Sequence, residues 1–177
     1  MNICVFCGSG VGNKTIYANA ARELGSLMAL KGHTLVYGGG NIGLMGILAD
    51  AVLEKKGTVI GVIPDFLMRK EVGHTGLTQL EIVSSMHERK RRMADLADAF
   101  LVLPGGWGTL DETAEILTWK QLGLVHQPLA FLNIDGFFDT LLAQMNTMVK
   151  AGFLKSENMD LVKVGETPEQ VLLLLIP

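Results

Sequence analysis

Short apolar runs rich in β-branched and aromatic residues alternate along the chain with longer stretches of helical periodicity. Asn2–Cys7, Thr34–Tyr37, Thr58–Ile63, Gln79–Val83, Ala99–Leu103 and Leu129–Asn133 have the length and composition of strands. Between them lie helix candidates near 14–31, 42–56, 86–97, 109–123 and 136–151, with a last one near 167–175. The runs AFLVL and LAFL are apolar without alternation, as strands are when both faces of a parallel sheet are covered. Strand alternating with helix implies right-handed βαβ crossovers. The pattern predicts an α/β fold: a single-domain, Rossmann-like, doubly wound parallel sheet flanked by helices, over residues 1–177.

Composition narrows the function classes. A chain of 177 residues with 49% hydrophobic and 19% charged residues can bury a real core, which excludes disorder. The formal charge of −3 gives no reason to expect a nucleic-acid partner. No apolar stretch approaches membrane-spanning length and no basic region precedes an apolar run at the N-terminus, so a cytoplasmic protein without membrane contact is expected. Cys4 and Cys7 fall on opposite faces of one strand, which argues against a mutual disulfide. His33, His74, His87 and His126 are scattered without ligand spacing, so no metal is expected. The nine methionines form no helical stripe beyond what core packing needs.

In doubly wound sheets, ligands sit outside the carboxyl ends of the strands. Glycines gather at those ends: CGSGVG (7–12), YGGGNIG (37–43) and PGGWGT (104–109). Glycine lets backbone approach a ligand, and a following helix offers free N–H groups to an anion. Three such turns on one edge predict a small molecule that carries phosphate. Gly38, Gly40 and Gly43 match GxGxxG, but they follow the second strand, and Asp65 lies too far on for a ribose acid, which argues against a dinucleotide. Tight strand-to-helix turns explain Gly43 and Gly46 equally well.

Two capping boxes are expected. Thr109 with Glu112 would open one helix and place a carboxylate at its positive end, favouring the ionised form. Ser85 with Glu88 would start another helix near Met86, crowding Arg89, Lys90, Arg91 and Arg92 into its first two turns. Cations there oppose the helix dipole, so Arg89 and Lys90 are read as anion-binding, and Arg91 and Arg92 as a solvated face. Ser9 lacks a His/Asp partner, which leaves it no nucleophile's role. Trp107 can line a base pocket or simply pack.

Taken together, MHERK (86–90) and PGGWGTLDE (104–112) resemble the signature of the Lonely Guy family, cytokinin riboside 5′-monophosphate phosphoribohydrolases often mislabelled lysine decarboxylases. The likeness extends to VFCGSG (5–10), YGGGNIGLMG (37–46) and GVIPDFL (61–67), most of the chain in order. The resemblance implies catalytic roles for Arg89 and Glu112, with Lys90, Gly106, Gly108 and Thr109 holding the nucleotide. It places Glu71 as a substrate-contacting acid, in surroundings (RKEVGHTGL) that depart from the commoner REITGE-like run, and Thr118 as a threonine contact. Ser9, Gly39, Gly40, Met86 and Gly105 join the candidate substrate-binding set, as do Trp107, Leu110 and Asp111. The implied partner is a purine nucleoside 5′-monophosphate, with no cofactor. The implied assembly is a homodimer with active sites at the subunit interface.

The expected activity is cleavage of the N9–C1′ bond of AMP or an N6-prenylated AMP to free base and ribose 5-phosphate. A non-catalytic nucleotide or molybdenum-cofactor carrier, whose fold and glycine loops are similar, is the alternative. A lysine decarboxylase would need a Schiff-base lysine and a pyridoxal phosphate site, and the sequence offers no such set.

Overall fold

The computed structural model describes residues 1–71 and 73–176, with the side chains of residues 69–71 outside that description. Seven parallel strands form one sheet: β1 (Asn2–Phe6), β2 (Thr34–Tyr37), β3 (Val59–Pro64), β4 (Gln79–Val83), β5 (Ala99–Val102), β6 (Leu129–Leu132) and β7 (Lys163–Gly165). Their order is β4-β3-β2-β1-β5-β6-β7. The direction of winding therefore changes between β1 and β5, where Ile3 lies beside Ala99 and Phe6 beside Val102. Such a change opens a crevice at the carboxyl strand ends.

The helices are α1 (Thr15–Leu30), α2 (Gly43–Glu54), α3 (Asp65–Glu71), α4 (Met86–Leu96), α5 (Trp107–Gln121), α6 (Asp139–Lys150) and α7 (Pro168–Leu174). One face of the sheet is covered by α1, α2 and α7, whose Leu24, Met28, Leu48, Val52, Val171 and Leu172 pack on Ile3, Leu35 and Leu101. On the other face, Met93, Ala94 and Ile116 of α4 and α5 pack against Cys4, Phe100 and Phe131. Each fully buried aliphatic side chain there contributes about 1.5–3 kcal/mol. Cys7 belongs to the first core and Cys4 to the second, and both are free thiols, as the strand alternation requires. Helices α1 and α2 meet at Gly25, where a Cβ would stand 2.6 Å from the Leu48 carbonyl. No helix is long and apolar enough to cross a membrane, among the described residues.

Three features differ from the sequence reading. Short α3 follows directly on β3, and β7 adds a three-residue strand to β6. Neither is long enough to show a period. Helix α5 starts at Trp107 with Gly106 as its cap and no side-chain cap bond, so Thr109 and Glu112 form no capping box. Thr113 instead donates its hydroxyl to the Thr109 carbonyl at 2.6 Å. The second box forms in half, with Ser85 as the cap: its hydroxyl accepts from the Glu88 N–H at 3.2 Å, but the Glu88 carboxylate reaches Ser84 and not the Ser85 N–H. The Glu88 carboxylate in turn accepts from the N–H and hydroxyl of Ser84, at 2.8 and 2.7 Å. Those bonds hold the Glu88 carboxyl below its usual range.

Candidate active site

The loops that leave β1 and β5 are tied together at the switch point. The Gly8 N–H donates to the Pro104 carbonyl at 3.0 Å, and a Cβ on Gly8 would lie 3.2 Å from the Gly105 Cα. Beneath them the Leu44 N–H at the start of α2 donates to the Gly8 carbonyl at 3.0 Å. Gly43 has a φ of 62°, and a Cβ there would meet the Ser9 carbonyl carbon at 2.2 Å. The glycines at the start of α2 thus serve close packing. The start of α5 differs. Its first amides, at Trp107, Gly108 and Thr109, have no intrahelical partner by helix geometry, and Gly106 offers no side-chain cap. An uncapped 15-residue helix whose N-terminus lines a cavity attracts anions.

That cavity measures about 250 Å³. Gly106, Trp107, Gly108 and Thr109 form one wall, Cys7, Gly8 and Ser9 a second, and Gly38, Leu67, Met86 and Arg89 a third, with Glu112 between them. Arg89 projects from the second turn of α4. Its Nε–H donates to the Val62 carbonyl at 3.2 Å, and one terminal nitrogen stands 3.6 Å from Glu112 Oε1. The two side chains are 11% and 9% exposed, so this is a buried pair. It is not closed by a hydrogen bond. The Glu112 carboxyl is pushed up from 4.5 to about 7, chiefly by burial, with Arg89 pulling the other way. Asp111 and Glu115 raise it further and Lys90 lowers it. The dipole argument for a fully ionised Glu112 therefore fails. The group lies beyond the first turn of α5, and desolvation outweighs the helix end.

Ser9, Met86, Arg89, Gly106, Trp107, Gly108, Thr109 and Glu112 converge on the cavity. Trp107 is 87% exposed, so it stands at the mouth and does not pack into the fold. Gly105 and Leu110 line an adjoining cleft beside Phe137 and Leu141. Gly39 and Gly40 lie behind the wall. The Gly39 carbonyl accepts from the His74 N–H at 3.0 Å, and the Gly40 carbonyl from the Tyr37 hydroxyl at 3.1 Å. Lys90 bridges Asp111 and Glu115 at 3.1 and 3.2 Å, linking α4 to α5. Arg92 is not merely solvated: its guanidinium donates to both carboxylate oxygens of Glu81 on β4, at 2.6 and 2.9 Å. Arg91 pairs with Asp95 at 2.9 Å on an exposed face. Thr118 is exposed on α5 and donates to the Ala114 carbonyl at 2.8 Å. The Glu71 side chain lies outside the described residues.

Sequence reasoning passed over Gly38, Cys7, Leu67 and Met45 as cavity residues. Gly38 is the most telling, since a Cβ there would stand 1.9 Å from an Arg89 terminal nitrogen. The signal existed in the YGGG run but not in a form that points to Arg89. Among the described residues, no group of three or more His, Cys, Asp or Glu side chains could hold a metal ion.

A doubly wound sheet with an uncapped helix and a buried arginine–carboxylate pair at its switch point defines an α/β protein with a site suited to a small anion. Residues 45–175 match a family model described as "Possible lysine decarboxylase". The chain is 44% identical over 170 residues to a probable cytokinin riboside 5′-monophosphate phosphoribohydrolase of Oryza sativa subsp. japonica, covering 96% of this chain and 76% of that one. To a second rice phosphoribohydrolase of that name it is 46% identical over 173 residues, covering 98% and 72%. To an Arabidopsis thaliana counterpart it is 47% identical over 152 residues, covering 86% and 71%. The chain belongs to the Lonely Guy family of phosphoribohydrolases, and is a hydrolase. Among the described residues, the cavity wall carries no lysine for a Schiff base. Among solved structures, a molybdenum cofactor binding protein from Rippkaea orientalis superposes with a TM-score of 0.72 at 22% identity, covering 98% of this chain and 93% of that one. A carrier protein from Chlamydomonas aligns at 0.72 and 20%, covering 97% and 92%. At that identity the likeness is one of fold alone.

Proposed function

We propose that this chain hydrolyses the N9–C1′ bond of a cytokinin riboside 5′-monophosphate, and of AMP, releasing the free base and ribose 5-phosphate. The observation that carries the reading is the buried Glu112 carboxyl, 3.6 Å from Arg89 and close to an uncapped helix N-terminus. Scission of the bond leaves positive charge on the ribosyl ring. Ionised Glu112 stabilises that charge and orients the water that adds to C1′. The water gives up one proton as the C1′–O bond forms, and the departing base gains one. Arg89 holds the ribose and favours the ionised carboxylate. The amides of Trp107, Gly108 and Thr109 take the 5′-phosphate, with Ser9 on the facing loop. Family relatives named for the same substrate class support the assignment.

We further infer a homodimer joined through α5. Trp107, Leu110, Ala114, Thr118 and Leu122 form an exposed stripe at helical spacing along that helix. Thr118 sits six residues beyond Glu112, about 9 Å along the axis. Exposed on this stripe, it can approach the cavity of a second copy.

The test is base release from N6-isopentenyl-AMP, AMP, adenosine and ATP under identical conditions. Monophosphates should be turned over and adenosine ignored, because phosphate contacts remote from the bond position C1′ against Glu112. Adenosine cleaved as efficiently as AMP would remove the helix N-terminus from the mechanism. No base released from either monophosphate would overturn the activity itself.

A further inference from the structure

The segment after α3 is held down by one buried histidine. His74 is 8% exposed, and its Nδ1 accepts from the Gly76 N–H at 3.1 Å. The proton of the neutral ring is therefore on Nε2, which donates to Asp50 Oδ1 at 2.9 Å. Asp50 lies on α2, whose neighbouring Leu48, Ala49, Ala51 and Val52 are locked in the core, so it is a fixed post. The His74 main chain reaches the other way. Its N–H donates to the Gly39 carbonyl at 3.0 Å, and Gly73 forms an antiparallel bridge with Gly40. Gly39 has a φ of 74°, and Gly38 before it supplies the space that the Arg89 guanidinium fills. These contacts run from Asp50 through His74 to the surface on which Arg89 rests.

We propose that His74, anchored by Asp50, is a positioning residue that sets the Gly38–Gly40 loop and thereby seats the Arg89 guanidinium opposite Glu112. The inference rests on the reading that Arg89 and Glu112 carry the reaction. Without the anchor, the 73–76 turn shifts relative to α2, the loop follows, and the guanidinium moves away from the carboxylate. Displacements of about 1 Å at such pairs cost on the order of a hundredfold in rate.

The groups facing Glu112 are Arg89 and Lys90 from α4, Asp111 and Glu115 from α5, and Cys4 and Cys7 from β1. Asp50 is not among them, so its charge does not act on Glu112 directly. Asp50→Ala, Asp50→Asn and His74→Ala are compared with wild type for kcat, KM, the pH midpoint of kcat/KM and the melting temperature, with Glu112→Gln as control. The Asp50 side chain is 59% exposed, so its truncation leaves the fold intact even where His74→Ala does not fold. Asp50→Ala should lower kcat at least about tenfold, with a smaller change in KM, by the positional cost above. Its pH midpoint should move above about 7, because Arg89 lowers the Glu112 value and has drifted away. Asp50→Asn, which keeps an acceptor for Nε2–H, should restore both. Wild-type kcat and midpoint in Asp50→Ala, with or without a lower melting temperature, would overturn the proposal. So would a loss that Asp50→Asn does not restore. Full turnover in Glu112→Gln would instead sink the catalytic assignment on which the proposal rests.

Discussion

Replacing Glu112 with glutamine removes a charge and leaves nearly the same shape. Its effect on stability can be worked from the burial. Folding carries the carboxyl from its ordinary 4.5 to about 7, with desolvation as the largest cause. Because the folded value is raised, the folded chain binds more protons than the unfolded one between those values. Stability tied to the neutral carboxyl is complete below pH 4.5 and is lost as pH rises through about 7. The loss amounts to about 3 kcal/mol. Glutamine cannot ionise and escapes it. The buried amide has a desolvation cost of its own, but that cost does not vary with pH. The quantity to measure is therefore the melting-temperature difference between variant and wild type at pH 8.5, minus the same difference at pH 4.5. A domain of this size shifts by about 2–4 °C per kcal/mol, so the double difference should be roughly 6–12 °C in favour of the variant. Turnover should vanish in the same protein. An N-cap role for the carboxylate predicts the opposite, a loss of about 1 kcal/mol at every pH with activity kept. A difference that stays constant with pH would refute the burial argument, and near-wild-type turnover would remove Glu112 from the chemistry.

Wild-type kcat/KM should rise with pH through a midpoint near 7, since the proposed mechanism uses the ionised carboxylate; a profile flat from pH 5.5 to 8.5 would contradict this. Gly38→Ala should cut kcat on the order of a hundredfold while the melting temperature barely moves, because its Cβ displaces only the flexible end of Arg89; activity within twofold of wild type would show that Arg89 tolerates another seat. Arg89→Ala should lower the rate by orders of magnitude, whereas Arg92→Ala, which breaks a partly exposed pair with Glu81, should cost under about 1 kcal/mol of stability and little activity. Equal rate losses for the two arginines would place the functional face elsewhere. Gel filtration with light scattering should give a dimer that Leu122→Asp weakens, and a monomer in the wild type would dispose of the α5 interface.

Much of the fold was legible because burial writes itself into composition. Thr34–Tyr37 and Gln79–Val83 match the strands residue for residue, and the unbroken apolar runs around Ala99 and Leu129 announced a sheet covered on both sides. Serine at 85 with glutamate at 88 marked the start of α4 correctly. The same T-x-x-E spacing at Thr109 misled, since the pattern is identical whether threonine sits at the cap or inside the first turn. Which of the two holds depends on the loop before it, where Gly106 ends up as the cap. Elements of seven and three residues, α3 and β7, are too short for any period. Contacts between distant segments were invisible for a different reason. Nothing local to Gly38 says that an arginine from α4 will fill the space beside it, and nothing near Glu81 announces Arg92.

The open geometry of the Arg89–Glu112 pair has its own logic. Two groups each about nine-tenths buried would gain most from a closed, bidentate salt bridge, which would drive the carboxyl far below 4.5. The fold withholds that arrangement. Arg89 is held by the Val62 carbonyl and by the space over Gly38, leaving its nearest nitrogen at 3.6 Å from the carboxylate. A closed pair would be a better ion pair and a worse catalyst, since a carboxylate already satisfied has little left for a ribosyl cation. Kept apart, the pair leaves the Glu112 carboxyl raised to about 7, with its desolvation only partly offset by Arg89 and Lys90 in the free protein. In the proposed mechanism, the cation that forms as the N9–C1′ bond breaks supplies the missing partner, so the attraction is strongest in the transition state, where it speeds the reaction.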